Sequence, residues 1–371
     1  MLSQPEFCRR RSRFSKKYCW PGAVAINCVM LETVLEPGTA DPVATFHERQ
    51  VAAYRFMLLA RLLDDKLAAL YRAGKIHGGV FLGRGQEALS AALGLSLKKG
   101  DVFAPLIRDA AGRLAFGEPV LDTVRTHLGS ALGPMRGRDG NVHRGRPKEG
   151  YLPMISHLGA MISVVNGVLF ARRLKGVAGT VGAASVGDGA TSTGSFHEAL
   201  NQAAIEKLPL VLVVANNHYA YSTPNERQFA CRDLADKAVG YGVEVQTVDG
   251  TDLSACLNVA GSAVGLARAG RGPQMIIATL LRLCGHGEHD DAGYIDPKLK
   301  KSPAGRDCLK VAEEQLLRQG RADTAHLAAW RNEALHEIEE AVARVQHEPA
   351  PDPFAEEWRA ISSKSLSEGH E

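Results

Sequence analysis

The 371-residue chain carries 44 basic and 41 acidic residues, a formal net charge of +3, and is 45% hydrophobic, enough for one large α/β domain with extensions. Much of the positive excess sits in Arg9, Arg10, Arg11, Arg13, Lys16 and Lys17; with these set aside the remainder is slightly acidic, which argues against nucleic acid as the main partner. Seven scattered cysteines without a Cys-x-x-Cys spacing point to free thiols in a reducing compartment, the cytoplasm, and away from structural zinc. No membrane role is expected, because the longest apolar runs, near Val211, are too short to span a bilayer.

In chain order, residues 1–44 read as a disordered basic arm. An apolar stretch at 23–30 imitates an export signal, but Asn27 breaks it, and Glu32 and Glu36 follow without a clean small-residue cleavage site. Over 45–73, Val51, Tyr54, Met57, Leu58, Leu62, Leu67 and Leu70 recur at three and four, the spacing of an amphipathic helix. A second helix is predicted over 86–97, stopped by Lys98-Lys99-Gly100 and followed by a short strand at 102–104. Residues 133–151 form a loop rich in glycine and arginine, of the long kind that usually carries function.

The small and apolar residues of 162–174 predict a helix buried against a sheet. A strand at 183–186, a helix at 194–207 and a strand at 210–214 follow, then strands at 243–248 and 274–279 with a helix at 252–268 between them. Beyond Lys298 the pattern is helical and charged through Leu316, Leu327, Trp330, Ile338 and Val342. The expected organisation is an arm at 1–44, an α/β domain at 45–300, a helical region at 301–348 and a flexible tail at 349–371. No internal repeat or low-complexity tract is present.

The chemistry concentrates at two strand ends. Gly187-Asp188-Gly189 closes one strand and Asn216-Asn217 closes the next, with Asn217 twenty-nine residues after Asp188. A strand-helix-strand unit puts both ends at the carboxyl edge of a parallel sheet, where open α/β sheets bind ligands. A carboxylate and an amide oxygen are hard donors, and magnesium prefers such donors together with phosphate oxygens. The glycines let the backbone come close to those phosphates.

Gly187-Asp188-Gly189-Ala190-Thr191-Ser192 and Asn216-Asn217-His218-Tyr219-Ala220-Tyr221-Ser222-Thr223-Pro224 resemble the alpha subunit of the decarboxylating component of 2-oxo-acid dehydrogenase complexes. The resemblance runs over about 51–296. It implies an α/β thiamine-diphosphate-binding fold, a mostly parallel sheet flanked by helices, with a helical C-terminal extension. It also implies thiamine diphosphate and Mg2+ as cofactors, and oxidative decarboxylation of a 2-oxo acid with acyl transfer to lipoamide. By the same resemblance, Asp188, Asn217 and the backbone carbonyl of Tyr219 hold the metal, while Arg108, Ser156, Leu158, Gly187, Gly189 and Ala190 line the cofactor. Arg108 aligns with an arginine that grips the diphosphate, a role suited to a guanidinium fork. Ile107 stands where a tyrosine commonly precedes that arginine, so one phosphate contact is expected to be missing.

His286, in Cys284-Gly285-His286-Gly287-Glu288-His289-Asp290-Asp291, aligns with the family histidine that contacts the cofactor and helps pass the acyl group to lipoamide. The near-neutral range of an ordinary imidazole suits that step. A solvated loop histidine and a metal pair with His289 are the competing readings. Gly287 replaces the regulatory serine of mammalian relatives, so control by phosphorylation there is not expected. His77, His143 and His157 stand open between structural and substrate-facing roles, and Glu87 is read as a helix N-terminal carboxylate.

The glutamate that promotes the cofactor's imino tautomer belongs in this family to a separate beta subunit, and this chain has no second α/β module to supply it. The resemblance therefore implies an α2β2 heterotetramer, with the lipoyl domain of an acyltransferase as a further partner. Segments 219–224, 240–243 and 248–250 lie nearer to branched-chain relatives, with 3-methyl-2-oxobutanoate as substrate, and pyruvate and acetoin dehydrogenases are the alternatives. A noncatalytic α/β nucleotide- or partner-binding protein is the reading from another class. A Rossmann dehydrogenase is disfavoured, since no Gly-x-Gly-x-x-Gly opens the first strand-helix turn.

Overall fold

A computed structural model describes residues 46–140 and 143–352; the predicted arm at 1–44 and most of the predicted tail lie outside the described residues. Helix α1 (Phe46–Arg72) leads to α2 (Glu87–Ser96), strand β1 (Val102–Ala104), and two short helices, α3 (Ala110–Phe116) and α4 (Val120–His127). Helix α5 (Ala160–Leu174) precedes β2 (Gly182–Gly187), α6 (Gly194–Ile205) and β3 (Leu210–Asn216). A small hairpin of β4 (Tyr219–Ala220) and β5 (Thr223–Pro224) follows, then α7 (Ala235–Gly240), β6 (Glu244–Asp249), α8 (Leu253–Arg268) and β7 (Gln274–Thr279). The chain continues through α9 (Pro297–Lys300), α10 (Cys308–Arg318) and α11 (Thr324–Val345).

Five strands form one sheet in the order β1-β2-β3-β7-β6, and every neighbouring pair is parallel. Parallel sheets are covered on both faces, so a central strand reads as a continuous apolar run. Strand β3 shows this directly, because side chains alternate across a strand. Val211, Val213 and Ala215 enter one core with α1, α2, α8 and α10. Leu210, Leu212 and Val214 enter the other with α5 and α6. Both faces of the expected parallel sheet are therefore flanked by helices.

Helix α1 is buried more widely than one amphipathic stripe, with Arg61 and Asp64 enclosed alongside its leucines. The polar pair is enclosed because each has a partner: Arg61 meets Glu87 at 2.5 Å and Asp307 at 3.0 Å, and Asp64 accepts from the Gly83 amide at 2.7 Å. Asp307 also caps α10 through the Leu309 amide, tying the C-terminal helices to α1. Helix α5 departs from its expected burial. Ile162, Val165 and Leu169 reach the sheet, whereas Val164 is 43% and Leu174 74% exposed.

Among the described residues no helix is long and apolar enough to cross a membrane. All four described cysteines, Cys231, Cys256, Cys284 and Cys308, are free.

Candidate active site

The two strand ends are neighbours. Gly187 pairs with Ala215 in the β2–β3 register, so Asp188 and Asn217 leave adjacent strands at the same edge. Asp188 opens a 3-10 turn, Asp188–Ser192, and is 1% exposed. Its Oδ2 accepts from the Gln228 amide at 2.9 Å. Burial with so little compensation raises its carboxyl to about 6, opposed first by the Gln228 hydrogen bond and only last by Arg282. A buried carboxylate with a neutral partner is suited to a cation.

Asn217 is buried as well, and its Oδ1 accepts from the Tyr219 amide at 3.3 Å. Asn216 does something else: its Oδ1 accepts from Asn225 at 2.8 Å. His218 (φ 70), between Asn217 and the hairpin, and Tyr221 (φ 55), in the hairpin's turn, adopt left-handed backbone, a cost that proteins concentrate where geometry serves function. Gly189 is fixed by that hairpin, because a Cβ there would sit 2.5 Å from the Ala220 Cβ. At Gly187 the opposite holds, and a Cβ would meet no atom within 4 Å. The open space is part of a cavity of about 210 Å3.

That cavity brings together Ser156, Leu158, Gly187, Ala190 and His286 from separate parts of the chain, along with Ile107, His143 and His157. Ser156, His157 and Leu158 are exposed at its lip. The Leu158 carbonyl accepts from the Ser195 hydroxyl at 2.8 Å, so one of its lone pairs is already engaged. A larger cleft of about 860 Å3, lined among others by Asn216, His218 and Asp249, contains none of Arg108, Asp188, Asn217 or His286. The smaller cavity holds His286, while Arg108, Asp188, Gly189, Asn217 and Tyr219 line neither space; Arg108 and Asp188 directly follow its lining residues Ile107 and Gly187.

Arg108 is 4% exposed, yet its donors go to carbonyls: Nη1 to Leu82 at 2.9 Å and Nη2 to His286 at 2.6 Å. Burial brings it down to about 10, with Arg282 adding to the effect. A buried guanidinium held by neutral acceptors is ready for an anion.

The loop after β7 carries His286 and is stitched to residues 80–84 by the Leu283 amide on Arg84 and the Glu288 amide on Val80. The His286 amide donates to Asp290 Oδ2 at 2.6 Å. Its ring lies 5.5 Å from Phe81, edge to face, and 4.4 Å from Tyr221. Burial, then Arg108 and Arg282, depress the imidazole to about 4. The expected near-neutral range therefore does not hold for the protein alone, because the sequence does not display the two guanidiniums beside the ring. His289 is exposed, and among the described residues no cluster of three or more His, Cys, Asp or Glu could hold a metal.

Sequence reasoning passed over Gln228 and Arg282. Gln228 also accepts from the Ser192 hydroxyl through its carbonyl, tying the 3-10 turn to the hairpin segment. Arg282 is buried and donates to the carbonyls of Cys284 at 3.1 Å and Tyr221 at 2.9 Å, and to the Tyr294 hydroxyl. Its signal was legible: an arginine directly after the apolar pair Leu280-Leu281 has to be paid for by specific partners. Glu87 stands at the first position of α2 as expected, but its carboxylate is taken by Arg61 and the Gly85 amide. His77 is exposed.

The site's groups fit a metal-bound diphosphate: a carboxylate and an amide oxygen at neighbouring strand ends, an uncompensated guanidinium, and room at Gly187. Residues 54–354 match the family model described as dehydrogenase E1 component. The chain is 32% identical to the acetoin:2,6-dichlorophenolindophenol oxidoreductase alpha subunit of Cupriavidus necator, over 82% of this chain and 92% of that one. It is 31% identical to the pyruvate dehydrogenase E1 alpha subunit of Rhizobium meliloti, over 82% and 88% of the two chains. With the 2-oxoisovalerate dehydrogenase alpha subunit of Bacillus subtilis it shares 34% identity over 66% of this chain and 74% of the relative. This chain belongs to the dehydrogenase E1 component family.

Proposed function

We propose that the chain is the alpha subunit of a thiamine-diphosphate-dependent 2-oxo-acid dehydrogenase that oxidatively decarboxylates a 2-oxo acid and passes the acyl group to lipoamide. The observation that carries this reading is the pair of buried opposite charges with neutral hydrogen-bond partners, Asp188 and Arg108, each directly following a residue, Gly187 or Ile107, of the cavity that His286 lines. Asp188, Asn217 and the Tyr219 carbonyl would hold Mg2+, and Arg108 the diphosphate. Bound there, thiamine diphosphate supplies the electron sink for cleavage of the carboxylate carbon bond. Gly187 leaves room for the cofactor, Ser156, Leu158, Gly189 and Ala190 line its place, and His286 serves acyl transfer.

The exposed lip at Ser156, His157 and Leu158 supports a half-site closed by a beta subunit that brings the tautomer-forming glutamate, in an α2β2 assembly visited by a lipoyl domain. The free cysteines support a reducing compartment, the cytoplasm. For the substrate, segments 219–224, 240–243 and 248–250 favour 3-methyl-2-oxobutanoate, and the similarity to acetoin and pyruvate enzymes keeps those two substrates in the test.

The test is to copurify the chain with a beta-type subunit and assay it against 3-methyl-2-oxobutanoate, pyruvate and acetoin, with and without thiamine diphosphate and magnesium. Cofactor-dependent turnover of a 2-oxo acid, fastest with the branched one and absent from the isolated chain, is expected. Full activity of the chain alone would refute the half-site, and acetoin as the sole substrate would replace the substrate assignment.

A further inference from the structure

His143, left open by sequence reasoning, is the middle member of a three-residue chain of hydrogen bonds. Its Nδ1 lies 2.7 Å from Asp139 Oδ2 and its Nε2 3.1 Å from Ser156 Oγ. The three residues come from the two ends of the loop that precedes α5. His143 and Ser156 both line the cavity that also holds His286. Asp139 and His143 are each about a third or less exposed, at 26% and 31% of their side chains, so the pair is partly sheltered from water.

The order of donors follows from the chemistry of the groups. A carboxylate only accepts, so Nδ1 carries the proton that it shares with Asp139. In the neutral ring Nε2 is then a bare acceptor, and the group facing it, the Ser156 hydroxyl, points its hydrogen at the ring. With that hydrogen committed, what Ser156 Oγ offers the cavity is its lone pairs. A serine whose hydroxyl turned freely could donate or accept; this one is set to accept.

We propose that Asp139 and His143 are positioning residues that fix the Ser156 hydroxyl as a hydrogen-bond acceptor facing the reactant, where it receives an O–H or N–H group of the bound molecule. The inference deepens the functional reading, and rests on it for the identity of the reactant. On the His286 side the guanidinium of Arg108 stands behind the ring, held on the His286 carbonyl, whereas the Ser156 side supplies an acceptor. An acceptor at the exposed lip gains about one net hydrogen bond from a reactant that presents a donor there, and water satisfies it otherwise. Ser156 remains free to offer its backbone carbonyl to the cofactor, since the relay uses only the side chain.

Two measurements judge it. The first is independent of turnover: imidazole nitrogen NMR of the histidine-labelled full chain with its beta-type partner, in mildly alkaline buffer, with the His143 signal identified by its loss in His143→Gln. A proton on Nδ1 in the wild type, redistributed towards Nε2 in Asp139→Asn, is expected; a wild-type proton on Nε2 would overturn the proposal. The second is a kinetic cycle of His143→Ala, Ser156→Ala, the double variant and Ser156→Thr, with cofactor affinity measured by calorimetry in parallel. Each alanine variant should lower kcat/KM about tenfold, the scale of one hydrogen bond. The double variant should lose no more than either single, Ser156→Thr should retain most activity, and cofactor affinity should stay unchanged. Additive losses, full activity in Ser156→Ala, or a parallel fall in cofactor affinity would each overturn it. A wild-type assembly without turnover on any candidate substrate would strike the functional reading, and the NMR arm would still decide the relay.

Discussion

Arg108 donates from Nη2 to the backbone carbonyl of His286 at 2.6 Å, across a sequence separation of 178 residues. A group expected to bind the diphosphate thus also holds the loop that carries the histidine, so anion binding and loop position are linked through a single guanidinium. Arg108→Ala should weaken thiamine diphosphate binding in the assembly by about 10- to 100-fold, the range for a lost charge-assisted hydrogen bond. Arg108→Lys should restore little, because one ammonium cannot reach Leu82, His286 and phosphate with the geometry of a planar fork. Calorimetry checks both, and a lysine variant of wild-type affinity would show that charge alone matters.

His286 sits among Arg108, Arg282 and Asp290, and its depression to about 4 keeps the ring neutral at physiological pH in the protein alone. His286→Ala should impair acylation of the lipoyl domain about 100-fold, in the range of acid–base assistance, while sparing carbon dioxide release to an artificial electron acceptor. Stopped assays of the two half-reactions test this. Equal losses in both would contradict the division of labour.

Asp188 makes stability depend on pH. Its carboxyl is raised to about 6 in the folded chain, above its unfolded range, so the native state holds a proton that the unfolded state has released. The folded state is therefore favoured less as pH rises through that window, and the cost is complete above it. In chelator, Asp188→Asn should be more stable than wild type at neutral pH by ~2 kcal/mol, with the difference vanishing below a pH of about 4. Urea unfolding at the two pH values measures it, and an asparagine variant less stable at neutral pH would contradict the assignment of an uncompensated carboxylate.

Gly187 and Gly189 flank the same aspartate and should respond oppositely. Gly189→Ala forces a Cβ to within 2.5 Å of the Ala220 Cβ, and such overpacking costs about 1–3 kcal/mol. Gly187→Ala meets no atom within 4 Å and should leave stability nearly unchanged while weakening cofactor binding. Thermal unfolding and calorimetry on the pair separate a packing role from a binding role, and equal effects on both measurements would merge them.

Local pattern carried most of the fold into view. Strands β2, β3, β6 and β7 lie within a residue or two of their predicted positions: the first two and β7 are buried small or apolar runs, and the edge strand β6 shows β-branched Val245, Thr247 and Val248 among polar residues. Helices α3 and α4 were not anticipated: they are 7 and 8 residues long, too short for periodicity to stand out, and α4 starts after Pro119. The exposed face of α5 was equally hidden, since Val164 and Leu174 look like core residues until the sheet is seen to bury Ile162, Val165 and Leu169 instead. In the site, the strand-end pair Asp188 and Asn217 could be read from spacing. The partners that tune it could not, because Gln228 on Asp188, Arg108 on His286 and Asp139 on His143 are brought together by loops that have no repeating pattern.

The account depends on a divalent cation and a diphosphate being held at the ends of β2 and β3. Its most direct measurement is calorimetric titration of thiamine diphosphate, with magnesium present, into the chain assembled with a beta-type subunit, comparing wild type with Asp188→Ala. Saturable, magnesium-dependent binding by the wild type that disappears in the variant is the predicted result. Wild-type affinity in the variant would contradict the site.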